Sequence, residues 1–235
     1  MASVRLLCIP YAGGGALTFR PWVALLPAHV EAYAVQLPGR EDRIREAPLV
    51  AWTALMRAMA DAIRPLPFMP TAVFGHSLGA VIGLELARWM HRDQPGQLVH
   101  LFASGRPWPG NPAPEDRALS ELLAGGSDAA LLQELDRRYG SMSTSLAHPE
   151  IREMMLPVLR ADLRLLAAHR YAPAPPLDCA LTVFAGTDDH TTPIASVDGW
   201  RNETRGETAL RMLEGQHFFV DSHRNRLLAE IARVL

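Results

Sequence analysis

The chain has 235 residues, of which 49% are apolar and 20% charged, and its formal net charge is −2. This length suits one large domain with its own apolar core, and the near-neutral charge gives no sign of a surface for nucleic acid or for an anionic membrane. Because no run of about 18 apolar residues occurs, and because Pro10 and three glycines interrupt the first apolar segment, we expect a soluble, cytoplasmic protein without a signal peptide.

Short apolar segments alternate with longer amphipathic ones along most of the chain. Strands are predicted at residues 4–9, 32–37, 71–74, 98–103, 181–185 and 210–213. Helices are predicted at residues 19–26, 49–64, 78–91 and 225–235. Strands that alternate with helices indicate an α/β fold, with a mostly parallel central sheet and helices on both faces.

The segment between the fourth and fifth predicted strands departs from this alternation. It starts with a proline-rich stretch at residues 107–114 and continues with helical patterns at 116–123, 129–139 and 151–169. A helical insertion between two sheet strands is most economically a lid over a site. We therefore predict a single domain over residues 1–235, with a helical lid at 107–170. Its proline-rich start, Gly125-Gly126 and the serine-rich stretch 141–145 predict that this lid is mobile.

Two cysteines, Cys8 and Cys179, both stand in apolar runs that are predicted as strands. Free cysteines are among the most buried residue types, so reduced core thiols are expected. A single pair without metal-ligand spacing does not indicate a zinc site.

The strongest chemical signal is the run Phe74-Gly75-His76-Ser77-Leu78-Gly79. It matches the Gly-x-Ser-x-Gly pattern, and it lies between a predicted strand and a predicted helix, as a nucleophile elbow requires. Side chains at the two glycines would crowd such a turn. The alternative is a coincidental turn, but the flanking pattern favours Ser77 as a nucleophile with the Leu78 N–H as an oxyanion donor. His76 stands on the same turn, and we expect its ring to point elsewhere.

A nucleophilic serine needs a base and a group that orients the base. Two acids, Asp188 and Asp189, follow the fifth predicted strand after a turn glycine. We prefer Asp189, three residues after that glycine, with Asp188 as the alternative and two solvated turn residues as the non-functional interpretation. His217 follows both the acids and the last predicted strand, and His223 is its nearest rival.

A glycine-rich loop, Pro10-Tyr11-Ala12-Gly13-Gly14-Gly15, follows the first predicted strand. Glycine permits positive φ angles and a close backbone approach, which oxyanion binding needs. A phosphate loop would need a lysine that is missing here. We interpret the segment as an oxyanion loop, with a plain tight turn as the alternative.

Taken together, these segments resemble the type II (editing) thioesterases of polyketide and nonribosomal peptide synthesis, members of the α/β-hydrolase superfamily. The resemblance runs nearly end to end. Four segments carry it: CIPYAGG at residues 8–14, QLPGREDR at 36–43, FGHSLGA at 74–80 and GQHFF at 215–219. The second segment separates this family from general esterases. Tyr11 stands where the family often has His or Phe, and Leu78 where it often has Met.

The resemblance implies a catalytic triad of Ser77, Asp189 and His217, with the backbone N–H groups of Ala12 and Leu78 as the oxyanion hole. It also implies that no metal or cofactor is needed. The expected reaction is hydrolysis of acyl groups from the phosphopantetheine arm of an acyl or peptidyl carrier protein, which clears stalled or misprimed synthases.

Neither nucleic acid nor a membrane is an expected partner, and a monomer is expected. Arg40, Arg43 and Arg106 are candidates for meeting an acidic carrier helix or the phosphate of the arm, although for any one of them a solvated or structural role is the preferred interpretation. An ordinary carboxylester hydrolase or a medium-chain fatty-acyl thioesterase on the same fold remains a competing interpretation. A noncatalytic carrier-binding module is a further one.

Overall fold

A computed structural model describes residues 2–111, 114–140 and 148–235. Six strands form one sheet: β1 (Val4–Ile9), β2 (Val30–Ala34), β3 (Thr71–His76), β4 (Leu98–Ser104), β5 (Ala180–Gly186) and β6 (Thr208–Leu213). Each pair of neighbouring strands is parallel, and the order across the sheet is β2-β1-β3-β4-β5-β6. The described α-helices are α1 (Trp52–Ile63), α2 (Leu78–Asp93), α3 (Pro114–Gly125), α4 (Asp128–Tyr139), α5 (Pro149–Ala168), α6 (Ile194–Val197), α7 (Phe219–Ser222) and α8 (Arg224–Val234).

The sheet is covered on both faces, because successive side chains of a strand point to opposite sides. In β1, Leu7 and Ile9 join the apolar cluster that contains residues of α1 and α2. Leu6 and Cys8 join a second cluster, which contains residues of α8. The predicted α/β class with a parallel sheet and helices on both faces is therefore confirmed. Both cysteines are buried free thiols, and burial raises the pKa of Cys179 to about 12.

The helices α3, α4 and α5, called here the helical insertion, come between β4 and β5 in the chain. Apolar side chains from all three helices form a separate cluster: Leu119, Leu123, Leu131, Leu135, Leu156, Leu159 and Leu163. The serine-rich stretch 141–145 lies outside the described residues. Among the helices that are described, none combines the length and the apolar character of a membrane-crossing segment.

Both flanks of the helical insertion are tied to one buried carboxylate on the body of the protein. Glu203 accepts hydrogen bonds from Trp108 Nε1 (2.7 Å), before the insertion, and from the Tyr171 hydroxyl (2.9 Å), after it. Arg88 of α2 donates to the same carboxylate over 2.7 Å. The insertion is therefore anchored at its two ends through a single acidic side chain.

Two predicted elements differ from the structure. The predicted helix at residues 19–26 is a 3₁₀ helix at Ala16–Trp22 that contains Pro21, whose missing N–H and fixed φ disfavour a longer α-helix. The second strand was expected at residues 32–37 but runs over Val30–Ala34. Its position follows from pairing, because Val30 lies opposite Val4 of β1, and hydropathy alone does not report this partner.

The strand order reverses at β1, which has β2 on one side and β3 on the other. Ile9 at the end of β1 lies opposite Gly75 near the end of β3. The loops that follow these two strands therefore leave the carboxyl edge of the sheet side by side. Ligands of open α/β sheets bind at such a reversal point, so the glycine loop at residues 10–15 and Ser77 meet where a site is expected.

Candidate active site

Ser77 lies on the sharp turn between β3 and α2. Its backbone has φ 56° and ψ −114°, a region that costs a non-glycine residue about 1–3 kcal/mol and is concentrated at functional sites. A Cβ atom on Gly75 would overlap the carbonyl of Gly79, and one on Gly79 would overlap the carbonyl of Ile9. The turn can be this tight only because both positions are glycine. The Ser77 N–H donates to the carbonyl of Ser104 over 2.8 Å, which holds the turn against β4.

Asp189 and His217 form a buried hydrogen-bonded pair beyond the ends of β5 and β6. His217 Nδ1 lies 2.8 Å from Asp189 Oδ2. The other carboxylate oxygen accepts from the backbone N–H of Thr191 (2.9 Å) and from its hydroxyl (2.6 Å). Burial alone raises the pKa of Asp189, but the hydrogen bond and charge of His217, together with the bonds from Thr191, lower it to about 2. An ionised carboxylate favours the proton on Nδ1, which leaves Nε2 of His217 as an acceptor.

The alternative acid and the rival histidine have other partners. Asp188 is exposed, and its carboxylate accepts from the Thr187 hydroxyl over 3.1 Å. His223 stands at the start of α8 with Nδ1 2.9 Å from Ser222 Oγ. The structure thus brings Asp189, and not its neighbour, to the preferred histidine.

Aromatic rings of Tyr139, His76 and Phe218 pack around the imidazole of His217. The ring of Tyr139, at the end of α4, lies 4.5 Å from it between centroids, and the ring of His76 lies 5.0 Å from it. His76 Nδ1 is 2.9 Å from Ser104 Oγ, and burial, followed by the neighbouring His217, lowers the pKa of His76. The His76 ring is directed at Ser104 and His217, as expected for a ring that points elsewhere than at Ser77. A buried imidazole that is neutral because of its lowered pKa thus packs against His217.

Two neighbouring cavities open beside these residues. The inner chamber, about 20 Å³ in volume, is bordered by Ser77 and His217 and otherwise mainly by apolar side chains. The outer cavity, about 850 Å³ in volume, is bordered by the glycine loop and by the polar side chains of Glu41, Gln216 and Asp221. Both are bordered by the same five residues: Tyr11, Ala12, Tyr139, Leu159 and Phe218. Ser77 therefore lies in a small apolar chamber that adjoins a large, more polar one.

Comparison with known proteins identifies the family. Residues 4–235 match the family model described as the thioesterase domain. The chain belongs to the thioesterase family. The thioesterase is 38% identical over 220 residues to the gramicidin S biosynthesis protein GrsT of Aneurinibacillus migulanus, in an alignment that covers 93% of this chain and 84% of the relative.

Two solved structures share its fold along the whole chain. RedJ, a thioesterase from the prodiginine biosynthetic pathway in Streptomyces coelicolor, superposes with a TM-score of 0.89 at 36% identity, over 100% of this chain and 91% of RedJ. BorB, a type II thioesterase from the borrelidin biosynthetic cluster, has a TM-score of 0.82 at 32% identity, over 98% and 92% of the two chains. The resemblance to type II thioesterases is therefore confirmed.

The three arginines considered for carrier docking have different surroundings in this thioesterase. Arg40 is 6% exposed, and its guanidinium makes a two-pronged ion pair with Asp162 of α5, at 2.7 and 2.8 Å. It is not available to a partner, so the structural interpretation holds for this residue and docking does not. Arg43 is partly exposed and pairs with Glu46 at 2.6 Å, and Arg106 is half-buried. The family-specific segment at residues 36–43 therefore supplies an internal ion pair.

Sequence reasoning missed three residues around the site of the thioesterase. Thr191 follows Asp189 by two positions, a spacing typical of turns in which an aspartate accepts from the backbone. Asp162 is a lone acid on a leucine-rich helical stripe, which is a signal of a buried polar partner. For Tyr139 no such signal exists, because its contact with His217 depends on how α4 packs over the sheet.

Proposed function

We propose that this thioesterase hydrolyses acyl thioesters carried on the phosphopantetheine arm of acyl or peptidyl carrier proteins, through a triad of Ser77, His217 and Asp189. The observation that carries the proposal is the position of Ser77. It has a strained backbone on the elbow, and it borders the same inner chamber as a histidine whose other nitrogen is held by a buried carboxylate. The similarity to type II thioesterases supports an editing role, in which stalled or misprimed synthases are cleared.

Acylation of the enzyme would be the first half of the reaction. His217 Nε2 takes the hydroxyl proton of Ser77 while Oγ forms a bond to the thioester carbon. The tetrahedral intermediate then expels the thiolate of the arm, which receives the proton from His217. Asp189 holds the reactive tautomer and stabilises the imidazolium that forms between these events.

Deacylation would repeat the sequence with water as the nucleophile. His217 takes a proton from the water, whose oxygen attacks the acyl carbon. The intermediate then releases the carboxylic acid, and Ser77 Oγ recovers the proton from His217. All proton transfers pass through one imidazole.

The oxyanion in both halves would be held by the N–H groups of Leu78 and Ala12. Leu78 is the first residue of α2, so its N–H has no acceptor inside the helix and stands at the positive end of the helix dipole. Ala12 belongs to the glycine loop that lines both cavities. Two fixed donors at a developing negative charge form the arrangement that lowers the barrier most in acyl transfer.

The volume of the inner chamber supports a lid role for residues 107–170. A space of about 20 Å³ holds about one water molecule, so an acyl group can enter only when the chamber widens. Four leucines of α4 and α5 border it: Leu135, Leu159, Leu163 and Leu166. Displacement of these two helices would open the chamber toward the outer cavity, which has the volume of a small-molecule site and would receive the arm.

Substitution of the nucleophile tests the mechanism. Ser77→Ala is expected to abolish thioester hydrolysis with an unchanged thermal transition, and a fluorophosphonate reagent is expected to label the wild-type protein at Ser77 alone. Turnover by the variant, or labelling at another residue, would contradict the mechanism with Ser77 as the nucleophile.

A comparison of substrates tests the role. We expect kcat/KM for an acyl carrier protein to exceed that for the matching acyl-pantetheine, because contacts with the carrier help to orient the thioester. Equal turnover of a simple ester would favour a general hydrolase, and a preference for medium fatty-acyl chains would favour a fatty-acyl thioesterase. Binding of the carrier without turnover would indicate a noncatalytic module.

A further inference from the structure

We infer that Asp162 of α5 is a positioning residue for the oxyanion loop, residues 10–15, and that Arg40 holds Asp162 in place. This inference rests on the proposed function, because it concerns the N–H group of Ala12 in that loop. It assigns to the helical insertion a part in assembling the active site, in addition to covering it.

The contacts of the ion pair converge on the loop. Asp162 Oδ2 accepts from the backbone N–H of Gly13 over 2.8 Å. Arg40 Nη1 donates to the carbonyl of Gly14 over 2.8 Å, in addition to its bond with Asp162. The Arg40 backbone carbonyl accepts in turn from Gln36 Nε2 over 2.9 Å. The carboxylate and the guanidinium thus each bind one main-chain group of the loop.

These two contacts fix the peptide next to the proposed donor. The Gly14 N–H donates to the carbonyl of Tyr11 over 2.9 Å, and this carbonyl shares a rigid peptide plane with the N–H of Ala12. Gly13 has φ +79°, a conformation that glycine reaches at little cost. Because glycine reaches other conformations as easily, contacts from outside the loop are needed to keep Gly13 in this one. Asp162 holds Gly13 from outside the loop, and so sets the direction in which the Ala12 N–H points.

Stability alone is a poor explanation for this pair. Asp162 and Arg40 are only 1% and 6% exposed, and a buried ion pair is often no more stabilising than apolar side chains of similar volume. What apolar side chains cannot supply is an acceptor for the Gly13 N–H. The pair also connects the loop to the wall of the inner chamber, since Asp162 stands on the same helix as Leu159, Leu163 and Leu166, which border that chamber.

Two double variants separate the effect of the hydrogen-bond acceptor at residue 162 from the effect of the charges of the ion pair. Arg40→Met with Asp162→Asn removes both charges but keeps an oxygen for the Gly13 N–H. Arg40→Met with Asp162→Leu removes the charges and the oxygen together. We expect kcat on an acyl thioester to be about 10- to 100-fold lower in the second than in the first, a loss typical of a misplaced oxyanion donor, with KM values within about threefold. If the leucine variant does not fold, Asp162→Ala in the same Arg40→Met background replaces it.

A matched control lies on the same helix. Arg160 of α5 pairs with the exposed Asp128 of α4 at 2.6 Å, and Arg160→Gln is expected to leave kcat within about twofold of wild type. Equal kcat in the two double variants, together with an inactive Ser77→Ala, would overturn this inference and leave the proposed function intact. Full turnover by Ser77→Ala would overturn both.

Discussion

Replacement of Asp189 by asparagine gives the sharpest test of the site, because the structure dictates how the new amide is oriented. Thr191 directs two donors, its N–H and its hydroxyl, at Oδ1 of Asp189. In Asp189→Asn the amide oxygen takes this position, since an NH₂ group there would face two donors. The NH₂ group then lies against Nδ1 of His217, where the carboxylate oxygen stood at 2.8 Å.

This orientation inverts the imidazole tautomer. Nδ1 becomes the acceptor and the proton moves to Nε2, so that in the proposed mechanism His217 could no longer take the proton of Ser77. We expect kcat to fall about 10³- to 10⁴-fold, which corresponds to about 4.1–5.4 kcal/mol of transition-state stabilisation. KM is expected to change little, because neither Asp189 nor Thr191 borders the chamber that would take the acyl group.

Release of the free thiol from an acyl-pantetheine, followed with a thiol reagent, measures both constants. Asp188→Asn is the matched control, since Asp188 is exposed and bonded to Thr187, and we expect kcat within about threefold of wild type. The reasoning is refuted if the substitution at Asp188 costs more than that at Asp189, or if Asp189→Asn retains a tenth of the activity.

Three further predictions concern stability and dynamics. Glu203→Leu removes the acceptor that both flanks of the helical insertion share, and it leaves Arg88 without one of its buried partners. We therefore expect the free energy of unfolding to fall by about 3 kcal/mol and Tm to fall by roughly 6–12 °C. Burial lowers the pKa of His100 to about 4, below its ordinary value of about 6.5 in the unfolded chain. As the pH falls, the unfolded state therefore binds the proton before the folded state does. The free energy of unfolding measured with urea should consequently be about 2 kcal/mol lower at pH 5 than at pH 7.5 because of this residue. His100→Gln is expected to remove that difference. In hydrogen exchange, helices α3 and α4 and the first part of α5 are expected to be less protected than the sheet, because their leucines form a cluster separate from the two main cores, whereas Leu165 and Leu166 at the end of α5 belong to one of those cores.

Each of these predictions has its own control or contrary result. Glu46→Ala breaks an exposed pair with Arg43 and is expected to leave Tm nearly unchanged, so an equally small change in Glu203→Leu would contradict the anchoring argument. If the free energy of unfolding of His100→Gln depends on pH as that of the wild type does, His100 is not the group that causes the loss of stability at pH 5. Equal protection of the helical insertion and the sheet would argue against an insertion that opens.

Local sequence signals were sufficient for the order of the six strands and for the choice of the residues proposed as the triad. A strand followed by Gly75-His76-Ser77-Leu78-Gly79 and a helix specifies an elbow, because the turn is built from neighbouring residues. The choice of Asp189 over Asp188 also followed from local spacing, and the structure pairs Asp189 with His217. The alternation of strands with helices along the chain was enough to predict a parallel sheet covered on both faces.

Only the tertiary structure decided which remote segments meet. Arg40 and Asp162 are 122 residues apart in the chain, and nothing near either one shows that they pair inside the protein. The same holds for Glu203, whose partner Trp108 is 95 residues away, and for the His76 ring against His217. Periodicity and turn chemistry report contacts within a few residues, whereas the burial of a charge depends on which helix covers which loop. That arrangement arises when the strands pair in the order β2-β1-β3-β4-β5-β6 and the helical insertion packs over their carboxyl ends.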